Sequence, residues 1–143
     1  MTLYTIGFSK KSAEEFFKIL KSHNIIRLID IRLNNKSQLS GFTNSKHLPY
    51  FLKKHGIEYL YRPDFAPSKE LLKGYKNKSI SWEEYEITYK EILIKRNIIE
   101  KIDWNIFEDS TLLCSEPTAG KCHRRLLAEY LAQNNDKIKI KHI

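Results

Sequence analysis

The sequence predicts an α/β fold: a three-layer sandwich around a largely parallel sheet of about five strands. Short apolar, β-branched segments alternate with amphipathic segments along the chain, which is typical of strand–helix units that build parallel sheets. Two Ser-x-x-Glu patterns mark the starts of helices. The chain has 143 residues without repeats or low-complexity linkers, so we expect one domain over residues 1–143.

The first half of the chain contains three predicted strands and two predicted helices. The strands are LYTIGFS at 3–9, the buried pattern IIRLIDIR at 25–32 and IEYLY at 57–61. A capping box from Ser12 to Glu15 predicts a helix that continues to about Ser22. The second helix carries Leu48, Phe51 and Leu52, tolerates Pro49 in its first turn and ends near Gly56.

The second half begins with helices and ends with two strands around another helix. A short helix follows Ser68, and a second capping box from Ser81 to Glu84 predicts a long helix. TLLCSE at 111–116 is the fourth strand, and CHRRLLAEYLAQ at 122–133 is the last helix. The alternating KIKIKHI at 137–143 predicts a terminal strand at a sheet edge, where its lysines reach water.

The charge and apolar content restrict the class of protein. The net charge of +8 suits a phosphate-bearing or nucleic-acid partner, although many lysines, among them Lys10 and Lys11, are scattered along the chain. No apolar run approaches the roughly 18 residues of a membrane span, and the start of the chain lacks the pattern of a signal peptide. Two cysteines do not make a disulfide framework, so we expect a cytoplasmic protein without a membrane partner.

Chemically active side chains follow the predicted strands. Gly7 and Ser9 end the first strand, and the others end in Asp30 and Arg32, in Arg62 and Asp64, and in Cys114 and Glu116. In open α/β sheets, ligands bind beyond the carboxyl ends of the strands. We therefore expect one cleft to collect Asp30, Arg32, Cys114, Glu116 and Arg124.

The helix after the glycine loop adds a second cysteine and two arginines. Cys122 falls at its first turn, where unpaired N–H groups favour a thiolate. His123 shares a helical stripe with Leu127 and is expected to point inward. Arg124 lies at the margin of that stripe and is the better candidate to bind an anion, whereas Arg125 is expected at the surface beside Glu129.

Several familiar sites do not fit the spacing. A cysteine phosphatase or rhodanese loop places an arginine about five residues beyond the cysteine, but Arg124 is ten residues beyond Cys114. The zinc-deaminase motifs are missing, as are phosphate-binding glycine loops. Cys114, Cys122 and His123 remain a less favoured set of zinc ligands, and the two cysteines can also form a regulatory disulfide. We predict no cofactor.

The chain resembles the bacterial and archaeal family called domain of unknown function 488 over nearly its whole length. That family opens with a T-I-G-H-S pattern, matched from Thr5 to Ser9 except that Phe8 replaces the histidine. Its D-x-R is matched by Asp30 and Arg32, and its following serine and phenylalanine by Ser37 and Phe42. A proline common after D-x-R is asparagine here. The signature C-x-E followed by C-H-R is matched by Cys114, Glu116, Cys122, His123 and Arg124.

These residues support two hypotheses of function. The first is an enzyme in which Cys114 or Cys122 is a nucleophile or redox thiol and Glu116 or Asp30 is a general acid or base. Its anionic substrate, a small molecule or nucleic acid, would be held by Arg32, Arg124, Ser9 and His123. The alternative is a non-catalytic nucleic-acid-binding module, whose binding would depend on salt and on neither cysteine.

Overall fold

The computed structural model describes residues 1–36, 41–115 and 119–143. Its centre is a five-stranded, all-parallel sheet with the strand order β3-β2-β4-β1-β5, which confirms the predicted fold class. The strands are β1 (Thr2–Gly7), β2 (Arg27–Asp30), β3 (Glu58–Tyr61), β4 (Ser110–Cys114) and β5 (Lys139–His142). β5 pairs with β1 at one edge, as its alternating lysines predict.

Within the described residues, six helices connect the strands. They are α1 (Ala13–Ser22), α2 (Leu48–Lys54), α3 (Lys69–Lys76), α4 (Trp82–Lys95), α5 (Ile98–Lys101) and α6 (His123–Asn134). None of the helices in the described ranges is long and apolar enough to cross a bilayer. The sequence did not indicate α5, whose four residues are too few to produce a helical period.

Serine caps start three of the helices. Ser12 Oγ accepts from the Glu15 backbone N–H at 3.1 Å, and Glu15 Oε1 accepts from the Ser12 backbone N–H at 3.3 Å, so the first capping box is complete. Ser81 likewise accepts from the backbone N–H of Glu84. Ser68 caps α3 through the N–H of Leu71. These bonds satisfy N–H groups that a helix start leaves unpaired, which is why the helices begin where the serines predict.

Helices cover both faces of the sheet and enclose two apolar clusters. One face is covered by α1 and α2, through Phe16, Phe17, Leu20, Leu48 and Leu52. The other is covered by α3 to α6, with Tyr89, Leu93 and Leu127 among the buried side chains. Since side chains alternate along a strand, each of the strands β1 to β4 contributes to both clusters. In β4, Leu113 faces α1 and α2, whereas Leu112 and Cys114 face α6.

Candidate functional site

The carboxyl end of β4 is a topological switch point of the sheet. β4 lies between β2 and β1, which are followed by helices on one face, whereas β4 is followed by α6 on the other. The chain therefore leaves β4 in the direction opposite to both of its neighbours. Such a divergence opens a crevice at the ends of the strands, where α/β proteins bind their ligands.

The two cysteines meet at this point. Cys114 is the last residue of β4 and Cys122 is the residue that precedes α6. Their sulfur atoms are in direct contact, the arrangement of a disulfide, while their Cα atoms lie 7.7 Å apart. Both side chains are buried, with exposed fractions of 1% and 4%. Two residues separated by the predicted glycine loop thus form one sulfur pair.

Arg124 lies against both sulfurs. Its Nη1 is 3.4 Å from Sγ of Cys114 and 3.8 Å from Sγ of Cys122. Its Nε donates to Oγ1 of Thr5 at 3.3 Å, and the Thr5 hydroxyl in turn bonds to Nδ1 of His142. The arginine side chain is only 1% exposed, so it is more deeply buried than its position on the helical stripe indicated. When the cysteines are reduced, a guanidinium placed here favours the negatively charged thiolate form of either sulfur.

Lys11 brings a second positive charge close to this arginine. Its Nζ donates to the carbonyl of Gly7 at 2.8 Å. Partial burial lowers the pKa of Lys11, and repulsion by Arg124 lowers it further. Lys11 is one of many lysines scattered along the sequence, but its position two residues after the T-I-G-F-S turn is a signal that assigns it to the strand end.

His123 is a buried, neutral imidazole next to Cys122. Burial lowers its pKa to about 4, and the ring donates from Nε2 to the carbonyl of Ile31 at 3.0 Å. Tyr89 packs edge-on against it. The inward orientation predicted from the helical stripe is confirmed, and the bond to Ile31 fixes the tautomer with Nδ1 unprotonated.

Cys114, Cys122 and His123 are also the residues that could hold a metal. One ligand atom from each lies within 4.8 Å of the others. A histidine that donates to a backbone carbonyl is a usual zinc ligand, and two thiolates with one imidazole suit zinc. Zinc would need separated thiolates, so metal binding and the sulfur contact exclude each other. The zinc set remains a prediction.

Asp30 and Arg32 form a separate, buried ion pair. Arg32 Nε donates to Oδ1 of Asp30 at 2.8 Å and Nη2 donates to Oδ2 at 2.9 Å, while the Thr43 carbonyl also accepts from Nη2. Tyr59 donates its hydroxyl to Oδ2 of Asp30 at 2.7 Å. Burial raises the pKa of Tyr59, and the hydrogen bond to Asp30 raises it further. As expected for a desolvated carboxylate, Asp30 is paired with an arginine.

The predicted single cleft is therefore divided into two clusters. Asp30 pairs in register with Leu113, the residue before Cys114, so Asp30 and Cys114 point to opposite faces of the sheet. Both residues lie at the predicted edge of the sheet, but the sequence does not reveal the register that separates them. His123 links the clusters, because its bond to Ile31 ends between the two members of the Asp30–Arg32 pair.

The comparison with family models assigns the chain to a family. The model of the domain of unknown function DUF488 matches residues 12–131. The chain belongs to the DUF488 family. No curated protein and no solved structure matches the chain. In this DUF488 protein, the ring of Phe8, which precedes the matched residues, lies 5.3 Å from the guanidinium carbon of Arg32. Phe8 thus belongs to the Asp30–Arg32 cluster.

The remaining predicted residues have different outcomes. Ser9 is half-buried, and its backbone N–H donates to the carbonyl of Ser115 at 2.9 Å. Arg125 is bonded to Glu129 and Glu86 near the surface, as expected. Glu116 and Ser37 lie outside the described residues, so the role of Glu116 as general acid or base stays a prediction. The anion-binding role of Arg32 also stays a prediction, and its guanidinium is bonded to Asp30 and Thr43.

Proposed function

We propose that this DUF488 protein is a thiol-dependent enzyme that acts on an anionic, phosphate-bearing substrate at the carboxyl end of β4. The main support for this proposal is the position of the buried Arg124 guanidinium, 3.4 Å from one sulfur and 3.8 Å from the other. A positive charge at this distance stabilises a thiolate, which is the nucleophilic form of cysteine. Arg124 and Lys11 together supply the positive charge for an anionic substrate.

Cys122 is the attacking residue in this proposal, because the N-terminus of α6 adds a partial positive charge to that of Arg124. Its thiolate donates an electron pair to an electrophilic atom of the substrate, and a leaving group departs with the broken bond's pair. Cys114 then attacks Sγ of Cys122, which releases the bound group with its bonding pair and forms the disulfide. The two electrons lost by the cysteine pair pass to the substrate, so the attacked atom must be a reducible one, such as a peroxide oxygen or a disulfide sulfur, and not the phosphorus of the phosphate. Two equivalents of an external thiol then reduce the disulfide, as in a reducing compartment such as the cytoplasm.

The two other predicted acid–base and anion-binding residues take a supporting role. Asp30 and Arg32 hold the backbone around Ile31, whose carbonyl orients His123 beside Cys122. They position the thiol site from across the sheet. Glu116 remains the candidate proton donor to the leaving group, through its place in the C-x-E motif.

The test is the pH dependence of alkylation of the reduced, folded protein by iodoacetamide, followed residue by residue by mass spectrometry. We expect Cys122 to reach half of its maximal rate below about pH 8.5, the ordinary value for a free thiol. Arg124→Gln should move that midpoint upward. Arg62→Gln is the matched control and should leave it unchanged, since Arg62 pairs with Asp64 near the surface and contacts neither cysteine. Resistance of both thiols up to about pH 9 in the folded protein would refute the proposal.

A further inference from the structure

An aromatic groove lies between α1 and α2, on the face of the sheet opposite α6. Its volume is about 470 Å³, within the range of ligand sites. Its walls are mainly rings and lysines: Phe17, Lys18, Lys21, Phe42, Phe51 and His55. Glu14 also lines it, so the described lining has two lysines and one acid.

The rings in and beside the groove present flat surfaces. His55 stacks on Phe17 with their centroids 4.8 Å apart and their planes 14° apart. Phe51, at 37% exposure, forms the outer wall, and the neighbouring Tyr50 is 58% exposed. A folded domain normally buries such rings. The rings of Tyr50 and Phe51 stand edge-on, with their planes 69° apart, so this aromatic platform offers two separate ring faces for stacking.

The same face is strongly basic. Residues 33–57 contain four lysines and two histidines and no aspartate or glutamate. Among these lysines, Lys46, Lys53 and Lys54 are exposed, and Nζ of Lys54 lies 5.3 Å from the centroid of the Tyr50 ring. Lys18 and Lys21 of α1 continue the positive charge along the other side of the groove. Positive side chains thus flank the aromatic platform on both sides.

We propose that this groove and the exposed face of α2 bind single-stranded nucleic acid. Exposed bases stack on Phe51 and Tyr50, and the lysines on both sides hold the phosphates. Proteins that bind single strands combine these two elements, aromatic rings for the bases and a basic track for the backbone. A duplex keeps its bases stacked inside and cannot use the rings. An acidic polypeptide would use the lysines but has no need of flat rings.

The proposal is tested by the fluorescence anisotropy of a labelled short oligothymidylate titrated with the full chain. At about 50 mM salt we expect binding that weakens steeply towards about 200 mM. Tyr50→Ala should raise Kd about ten-fold, the usual effect of removing one stacking ring. Phe51→Leu should do the same, since leucine keeps the apolar contact with Phe17 but lacks a flat ring. Lys53→Gln should reduce the salt slope by about 0.7.

Matched controls come from α4, on the opposite face of the sheet. Ile87 is 62% exposed and Lys90 is exposed as well, so Ile87→Ala and Lys90→Gln should leave both Kd and the salt slope unchanged. Thermal unfolding of each variant checks that it is folded. Competition by duplex of the same length, polyglutamate and thymidine monophosphate should each be much weaker than competition by unlabelled strand.

Several results would overturn this inference. If the ring variants bind as tightly as the wild type, binding is purely electrostatic and involves no base stacking. Equal competition by duplex or polyglutamate would also mean that binding is purely electrostatic. Equal competition by the mononucleotide would mean that the surface does not recognise a strand. Binding is expected to be independent of Cys114→Ser and Cys122→Ser, so this surface and the thiol site can fail separately.

Discussion

Two buried arginines at the carboxyl ends of neighbouring strands differ in their partners. Arg32 grips the carboxylate of Asp30 with two parallel hydrogen bonds, whereas Arg124 lies against the sulfurs of Cys114 and Cys122. The Asp30 carboxylate is held by hydrogen bonds from Arg32 and Tyr59. A sulfur is negative only as a thiolate and loses that charge in a disulfide. The partner, and not the arginine, therefore decides whether a cluster is a fixed support or a site whose charge can change.

The two clusters should accordingly respond to different perturbations. The Asp30 cluster resembles a structural ion pair, and removal of one charge leaves the other desolvated. The sulfur cluster should show itself in reactivity, through the alkylation of Cys122. His123 lies between the two clusters and should couple them, and its protonation should make the stability of the protein depend on pH.

The largest expected effect is on stability and follows from Asp30→Asn. The substitution keeps the size of the side chain but leaves the buried Arg32 guanidinium without its counter-charge. We expect a loss of about 3–5 kcal/mol in the free energy of unfolding, measured by urea titration at neutral pH. Arg32→Met should lower the free energy of unfolding by about as much, because it leaves the buried Asp30 carboxylate without its counter-charge.

The control for this substitution is a similar pair near the surface. Arg62 and Asp64 are also two residues apart and joined by two short bonds, but their side chains are 24% and 44% exposed. Asp64→Asn should cost no more than about 1 kcal/mol, because solvent screens the pair. Equal losses for the two variants would mean that burial does not distinguish the Asp30 cluster.

A smaller effect should appear as the pH falls, because His123 is held neutral. Burial keeps its folded-state pKa at about 4, below the value of 6.5 that an exposed histidine has. As the pH falls through 6.5 the unfolded chain takes up this proton first, so stability is full above that pH and is lost down to about pH 4. The histidine should account for about 2 kcal/mol of lost stability between pH 7 and pH 5.

His123→Gln isolates that contribution, since glutamine can still donate to the Ile31 carbonyl but does not titrate in this range. The difference between the wild-type and variant unfolding free energies should shrink as the pH is lowered from 7 to 5. Parallel curves for the two proteins would show that this histidine does not control the acid sensitivity.

The order of elements and the sheet could be predicted because local patterns agree with the fold. Ser12 and Ser81 sit at real helix starts, and the lysines of β5 alternate because that strand lies at an edge. α5 and the 3-10 turn at Trp104–Phe107 gave no signal, since elements of four residues depend on packing more than on sequence period.

The site could be predicted by type but not by its division into two clusters. Strand order and register are set by contacts distant in sequence, and the pairing of Asp30 with Leu113 puts Asp30 and Cys114 on opposite faces. The role of Tyr59 could not be predicted either, because the alternating pattern of a strand does not reveal that the Tyr59 hydroxyl donates to a carboxylate 29 residues earlier. Local patterns contain no such information.

The smallest expected effect concerns that hydroxyl and sharpens the account of the Asp30 cluster. Tyr59→Phe removes the bond to Oδ2 of Asp30, which keeps its bond to Arg32, and also the weaker bond of 3.3 Å that Asn35 Nδ2 donates to the phenol oxygen. A hydrogen bond to a charged group contributes about 1.5 kcal/mol at the lower end of its range, and we expect that loss in urea unfolding. Tyr61→Phe is the control, since the Tyr61 hydroxyl donates to the Leu33 carbonyl at 3.2 Å, near solvent. Its loss should cost less than about 0.5 kcal/mol. If both variants lose the same small amount of unfolding free energy, Arg32 alone holds Asp30. A larger loss for Tyr59→Phe means that the phenol helps to hold Asp30, and with it the backbone at Ile31 that orients His123.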